Sequence, residues 1–515
     1  MKRWNMLKKT WLASVSVAIF ALGTVPCLAQ QAEACGSGER VTVNLLWPTQ
    51  PASLDGNYDT LVLFSQINRN LYDGLFKLDD SMKIEPNLAT GFKQLDEKTY
   101  EIALRSGVVF HDGSSFTSAD VVSTFDRIAT DQKLASKQRS YVSNVESVTA
   151  VDDHTVRFKL KQPDASFIGV LASIIYITPK SVIDKVGNVD FGKHPIGTGP
   201  FKFETWNQGD SVVLKANCDY WGGKPIPSEV EFRFIAEPAT QISSLLSGEI
   251  DIATEVTPDL AAGLKSSSEV GVKSVNGNKA VFLSLNTLEG PLTDKRVRQA
   301  LNYAIDKAAI TKSLFDGRAT PVGQIYAPSV FGYTKSIAPY PYDPERAKKL
   351  LQEAGFTAEK PLTLELVNYI GELNPVWQSI AAYLGKAGVN IKTKFDPNFF
   401  GDSWLQKKMA PQQMLISQNN NLLMDADFAL GLTLDGPRRG IYFHGPETDA
   451  EIASARGEPD VGKRQAAYDK LNADLYDLAP VVFLYSTDAT FGVNAAIDWK
   501  PRPDGAIYLA GATKK

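Results

Sequence analysis

The chain has 515 residues, of which 43% are hydrophobic and 22% charged, and a formal net charge of −4. That length exceeds one comfortable hydrophobic core and predicts at least two lobes. The acidic balance excludes a nucleic-acid-binding role, which needs a basic footprint, and the ordinary composition fits a globular fold.

Lys2, Arg3, Lys8 and Lys9 precede an apolar run from Trp11 to Val25, which ends in the small-residue stretch Cys27-Leu28-Ala29. A basic start, a short apolar core and a small residue before the cut predict a secretory signal peptide over residues 1–29. The run is shorter than the roughly 18 residues a membrane-spanning helix needs. Neither Cys27, after Pro26, nor Cys35, after Glu33-Ala34, suits lipid attachment. Removing the leader takes away four positive charges and no negative ones, which brings the net charge to −8. That balance suits a soluble, monomeric, exported protein. Cys35 and Cys218 then remain, and export permits either a disulfide between them or two separate thiols.

Strand and helix signals intermix after the leader. Val41-Thr42-Val43-Asn44-Leu45 reads as a first strand, and Thr99 to Leu104 and Thr155 to Leu160 alternate like half-buried strands. Thr117 with Asp120 three residues later is a capping-box variant that opens a helix through Phe125. Between 294 and 315, Val297, Ala300, Leu301, Ala304, Ile305 and Ala308 recur at spacings of three and four, which predicts one surface helix with a buried stripe. On that reading Arg296, Arg298 and Lys307 are solvated. Asp343 followed by Pro344 reads as an N-cap with proline in the first turn, and the helix runs to a stop at Gly355. Mixed elements over this length predict an α/β or α+β layered fold.

Enzyme signatures are missing. The sequence has no His-Glu-x-x-His helix, no Gly-x-Ser-x-Gly elbow and no P-loop. Gly197-Thr198-Gly199 lacks the third glycine of a dinucleotide loop and reads as a tight turn. His111, His154, His194 and His444 never fall at metal-ligand spacing, and His111-Asp112-Gly113 reads as a turn. Neither an enzyme activity nor a cofactor is expected, and an exported hydrolase is the remote alternative.

Seven stretches stand in a fixed order: NLYDGLF (70–76), FHDGSSFTSADVVSTFDRI (110–128), IGTGPF (196–201), QISSLLSGEIDIA (241–253), TDKRVRQALNYAIDKAAI (293–310), YDPERAKKLLQEAGF (342–356) and APVVFLY (479–485). Together they resemble the extracellular solute-binding proteins of the peptide/nickel class, family 5, which deliver solutes to ABC importers. The resemblance implies a two-lobed periplasmic binding protein fold with an extra subdomain inserted in lobe one. Mapped onto this chain, lobe one is 30–285 plus a C-terminal return at 487–515, the insertion lies near 60–174, and lobe two is 286–486. The hinge strands are then Ala280 to Asn286 and Pro480 to Ser486.

Binding residues cluster on loops held by rigid elements, and the family pattern points to three loops facing the cleft. The first, Trp47 to Ala52, supplies Thr49 and Gln50. The second, Asn368 to Leu373, supplies Tyr369 as an aromatic wall and Glu372 as a partner for a ligand amine. The third, from Ser417 to Phe428, places Gln418 and Asn419, Asn420 and Asn421 where peptide binders of the family typically carry a tryptophan. Its Asp-Ala-Asp-Phe-Ala-Leu run is closer to the glutathione-binding and opine-binding branch. Amides offer donors and acceptors to a ligand rich in hydroxyl, amide or carboxylate groups, or else form a polar turn. Arg438, in the pair Arg438-Arg439, is a candidate for bidentate pairing with a ligand carboxylate. The expected function is capture of a short peptide or amino-acid-derived solute by hinge closure, with delivery to an inner-membrane permease. A sugar, opine or nickel chelate is the alternative cargo.

Overall fold

The computed structural model describes residues 35–46, 50–59, 62–440, 442–443 and 445–515. The predicted leader, Thr49 and His444 lie outside the described residues. The framework is one eleven-stranded sheet. Its order runs Asn390–Phe395, Thr363–Asn368, Gln413–Asn420, Val270–Leu285, Val481–Asn494, Ile252–Ala253, Val41–Asn44, Glu229–Arg233, Ser211–Ala216, Phe201–Asn207, with Ala319–Pro321 on the flank of Val481–Asn494. Val41 and Val43 are wholly buried, as a parallel strand covered on both faces requires.

Two long strands tie the lobes together. Val270–Leu285 and Val481–Asn494 pair antiparallel from Val270↔Asn494 to Ser284↔Val481, broken by an irregularity between Asn276 and Lys279. On one side of the break, Val481–Asn494 also pairs with Ile252–Ala253 of lobe one. On the other side, Val270–Leu285 pairs with Gln413–Asn420 of lobe two, starting at Lys279↔Asn420. The stretches expected as hinges, Ala280 to Asn286 and Pro480 to Ser486, overlap these two strands on the lobe-two side of the break, with Asn286 and Pro480 just outside them. The segment from Leu75 to Ile177 has its own core and a separate four-stranded antiparallel sheet. Helix Val62–Leu71, which the sequence reading assigned to the insertion, instead gives Ile67 and Leu71 to the lobe-one core. Trp499, Ile507 and Leu509 of the C-terminal segment join that same core.

Local signals translate closely into elements. The expected strands appear as Thr99–Leu104 and Thr155–Leu160. Asp120 accepts from the Thr117 backbone N–H at 2.9 Å and opens helix Ser118–Thr130. Asp343 caps helix Pro344–Glu353 through the Arg346 N–H.

The stretch 294–315 departs from expectation. It forms two helices, Lys295–Ala304 and Lys307–Phe315, separated by extended Ile305 and by Asp306, which caps the second through the Ala309 N–H. Arg298 and Lys307 are buried rather than solvated. Arg298 donates to the carbonyls of Leu478, Ala479, Leu292 and Thr293. Lys307 donates to Asn302 and Ile305. Helix C-termini leave carbonyls without partners, and both cations settle on such oxygens; Arg296 alone stays at the surface, paired with Asp294.

Three of the ordered motifs meet in one joint between lobe one and the insertion. Asp73 accepts from Asn87, Thr198, Tyr220 and Trp221. His111 accepts the Gly197 N–H at Nδ1 and donates from Nε2 to the Gly199 carbonyl. A Cβ at Gly197 would sit 2.0 Å from the Leu71 carbonyl oxygen, so this close approach admits only glycine. Beside the joint, Cys35 and Cys218 are disulfide-bonded, which settles the two open readings of these cysteines.

Two predictions follow from this architecture. The mature oxidised protein should titrate no free thiol, and reduction should destabilise it by about 2–4 kcal/mol, as expected for a bond closing a long loop. Burial lowers His111 from its ordinary 6.5 to about 4. A depressed pKa contributes stability that is present above 6.5 and lost as pH falls toward 4. His111→Asn should therefore melt below wild type at neutral pH, and the gap should narrow on acidification; a constant gap would contradict the neutral-histidine clamp.

Candidate functional site

Strand direction locates the site. In lobe one, Val41–Asn44 is parallel to Glu229–Arg233 and to Ile252–Ala253. Because Ile252–Ala253 opposes Val481–Asn494, the carboxyl ends of all three point at the break in the crossing strands. In lobe two, Thr363–Asn368 is parallel to Asn390–Phe395 and Gln413–Asn420, and the last of these opposes Val270–Leu285. Their carboxyl ends also run to the break. Open α/β sheets bind ligands outside the carboxyl ends of their strands, and here six such ends from two lobes reach one place.

The break is built tightly. A Cβ on Gly277 would lie 2.7 Å from the Thr487 carbonyl oxygen. Ser329 donates to the Gly277 carbonyl, and Asn278 donates to that of Asn421. Two side-chain-bearing residues beside the junction, Glu255 (φ 53°) and Met424 (φ 54°), take the left-handed conformation that favours glycine. The Lys279 ammonium lies 3.0 Å from the Glu255 carboxylate and holds that carboxyl below its usual range.

The residues named from sequence separate into distinct roles. Gln50 bonds to Gln208 and to the Gly209 N–H in lobe one. Tyr369, at the end of Thr363–Asn368, stacks on Phe400, which stacks on Trp404. Burial pushes its phenol up to about 12, and its hydroxyl makes no hydrogen bond among the described residues. Glu372 is exposed on a short helical turn. The asparagine run divides. Asn421 is wholly buried, donating to the Asp425 carbonyl and accepting the Asp425 N–H. That makes it a structural clasp rather than a ligand contact. Asn419 and Asn420 point to opposite sheet faces, as successive strand residues must, and their amides make no side-chain hydrogen bond among the described residues.

Arg438 is a correction. Its guanidinium pairs bidentately with Asp427 at 2.7 and 2.8 Å and donates from Nε to Asp435, so the fork expected for a ligand carboxylate is already occupied. Burial works to raise Asp427, yet Arg438 and Arg456 hold it below the usual carboxylate range. The signal was in the sequence, since Asp435 stands three residues before Arg438. Arg464 grips Asp425 in the same bidentate way.

These charges sit where the lobes touch. Leu422, Leu423 and Phe428 of lobe two pack into the inserted subdomain's core, and Phe428 stacks on Tyr141 at 5.8 Å. The Ala165 N–H donates to the Arg456 carbonyl, and the Ser166 hydroxyl reaches the Asp427 carboxylate. Sequence reasoning missed this contact, and it missed Glu255 and Lys279; the one cue was a charged residue directly preceding the apolar stretch expected as a hinge.

Residues 83–438 match the family described as bacterial extracellular solute-binding proteins, family 5. The glutathione-binding protein GsiB of Salmonella typhimurium is 33% identical over 387 residues, covering 74% of this chain and 72% of that protein. The periplasmic binding protein DppA of Helicobacter pylori, solved with peptide STSA, superposes with a TM-score of 0.79 at 25% identity, covering 93% of this chain and 98% of that one. The binding protein AgaA of A. tumefacien R10, solved with agropinic acid, gives 0.77 at 25% identity over 92% and 99%. The chain belongs to solute-binding protein family 5 and has its two-lobed fold. It captures a solute for an ABC importer, and these relatives are binding proteins rather than enzymes.

The division of the asparagine run is testable by urea denaturation. Asn421→Ala should cost about 2–3 kcal/mol, because it leaves buried backbone groups without partners. Asn419→Ala and Asn420→Ala should stay within about 1 kcal/mol of wild type. Equal losses at all three positions would contradict the assignment.

Proposed function

We propose that this family-5 protein is a monomeric periplasmic carrier whose solute is a short peptide or amino-acid-derived molecule of about glutathione size. The observation that carries the reading is the convergence of six strand ends from both lobes on one junction. Polar groups there, among them Asn420 and the Glu255–Lys279 pair, are open to a guest, whereas Asn419 is buried on the opposite sheet face. A ligand touching both lobes favours the closed arrangement by its differential affinity for that state. The closed form then docks on an inner-membrane permease. Export to the periplasm is supported by the basic and apolar leader in the sequence and by the disulfide, which suits an oxidising compartment. The solute class is supported by GsiB, whose name records glutathione, and by DppA, which holds a peptide. An opine is the second reading, favoured by the likeness to AgaA with agropinic acid.

The test is mass spectrometry of small molecules released by denaturing freshly purified mature protein, followed by thermal shift on re-addition. A stoichiometric peptide-like or amino-acid-derived solute that raises the melting temperature is the expected result, since a ligand of the native state must stabilise it. An empty protein that responds to no peptide, glutathione or opine would overturn the solute class.

A further inference from the structure

We infer that Glu255 and Lys279 form a zwitterion receptor, with the Glu255 carboxylate taking a ligand ammonium and the Lys279 ammonium taking a ligand carboxylate. This inference rests on the proposed class of solute and deepens it.

The pair bridges the lobes. Glu255 follows the lobe-one strand Ile252–Ala253, and Lys279 is the first residue after the break that pairs with lobe two. Among the described residues their side chains pair only with each other, at 3.0 Å, and those of Glu255 and Lys279 remain 59% and 25% exposed. Thr487 on one side and Asn420 on the other are the direct cross-strand partners of Lys279. The unengaged Asn420 amide therefore stands beside the ammonium, ready to add a donor to a carboxylate held there.

The backbone supports the same role. Glu255 is left-handed between two clamped neighbours. Thr254 on one side bonds to the Asn44 carbonyl and the Leu46 N–H, and the Val256 N–H on the other bonds to the Thr490 carbonyl. Glycine would adopt this conformation without strain. An exposed ion pair contributes little stability, so the pair does not explain why a side chain is kept at this position against the backbone preference. Strained residues of this kind gather at ligand sites, and a carboxylate aimed into the junction is what glycine would lack. In the free protein each charge holds the place of the ligand group that its partner will meet. A zwitterion inserted between them replaces one exchangeable pair with two.

The experiment is isothermal titration of wild type, Glu255→Gln, Glu255→Gly and Lys279→Gln with glutathione, trialanine, N-acetyl-trialanine and trialanine amide. Wild type should prefer each uncapped ligand by tenfold or more. Glu255→Gln should lose at least tenfold toward ligands with a free amine and leave the acetylated peptide unchanged. Lys279→Gln should lose comparably toward ligands with a free carboxylate and leave the amide unchanged. Glu255→Gly should melt at or above the wild-type temperature while losing the same binding, which separates recognition from folding. Wild-type affinity that ignores capping, or variants that bind trialanine and glutathione as wild type does, would overturn this inference and leave the proposed solute class standing. A wild type that binds none of the four ligands overturns the peptide and glutathione reading and this inference together, and leaves the opine as the solute.

Discussion

The antiparallel pairing of two long strands through both lobes is the constraint on which the remaining structure depends. Val270–Leu285 and Val481–Asn494 are each a member of both lobes' sheet. The other strands of this sheet take their direction from the pair, so the parallel strands of each lobe end where the crossing strands break step. That break is held by Gly277, whose missing side chain lets the second crossing strand approach closely. A crevice at the junction is therefore a product of strand direction, before any particular side chain is considered.

The second constraint is the contact beyond the crevice. Leu422, Leu423 and Phe428 reach out of lobe two into the core of the inserted subdomain, and the carboxylates of Asp425, Asp427 and Asp435 stand over them, each gripped by arginine. Such buried pairs rarely add much net stability over apolar packing, but breaking one by removing a partner is costly. Here they fix the shape of the loop that leaves the end of Gln413–Asn420, and so they fix where Asn419 and Asn420 stand. Arg438 belongs to that support rather than to the ligand surface.

Much of this was legible in the sequence where local chemistry decides. Asp343 and the Thr117–Asp120 pair announced helix starts, and alternation announced two strands, because each signal lies within a few residues. The ordered motifs pointed to the family and its two-lobed fold, and the structure gives three of them a shared physical role around Asp73 and His111. What escaped depends on distant partners. Arg298 and Lys307 look like solvated charges until carbonyls from other segments are placed beside them. Asn421 looks like its two neighbours until the Asp425 backbone folds against it. Nothing in Ala253-Thr254-Glu255-Val256 marks a left-handed residue, since the conformation is imposed by what Thr254 and Val256 hold.

The central claim is that a solute draws the two lobes together across the strand-end junction. It is tested most directly by a distance measured between nitroxide labels at Lys193→Cys in lobe one and Lys386→Cys in lobe two, both exposed positions. The account predicts that saturating solute shifts the distance distribution to a single shorter population. A distribution that stays the same when solute is bound would contradict capture by closure.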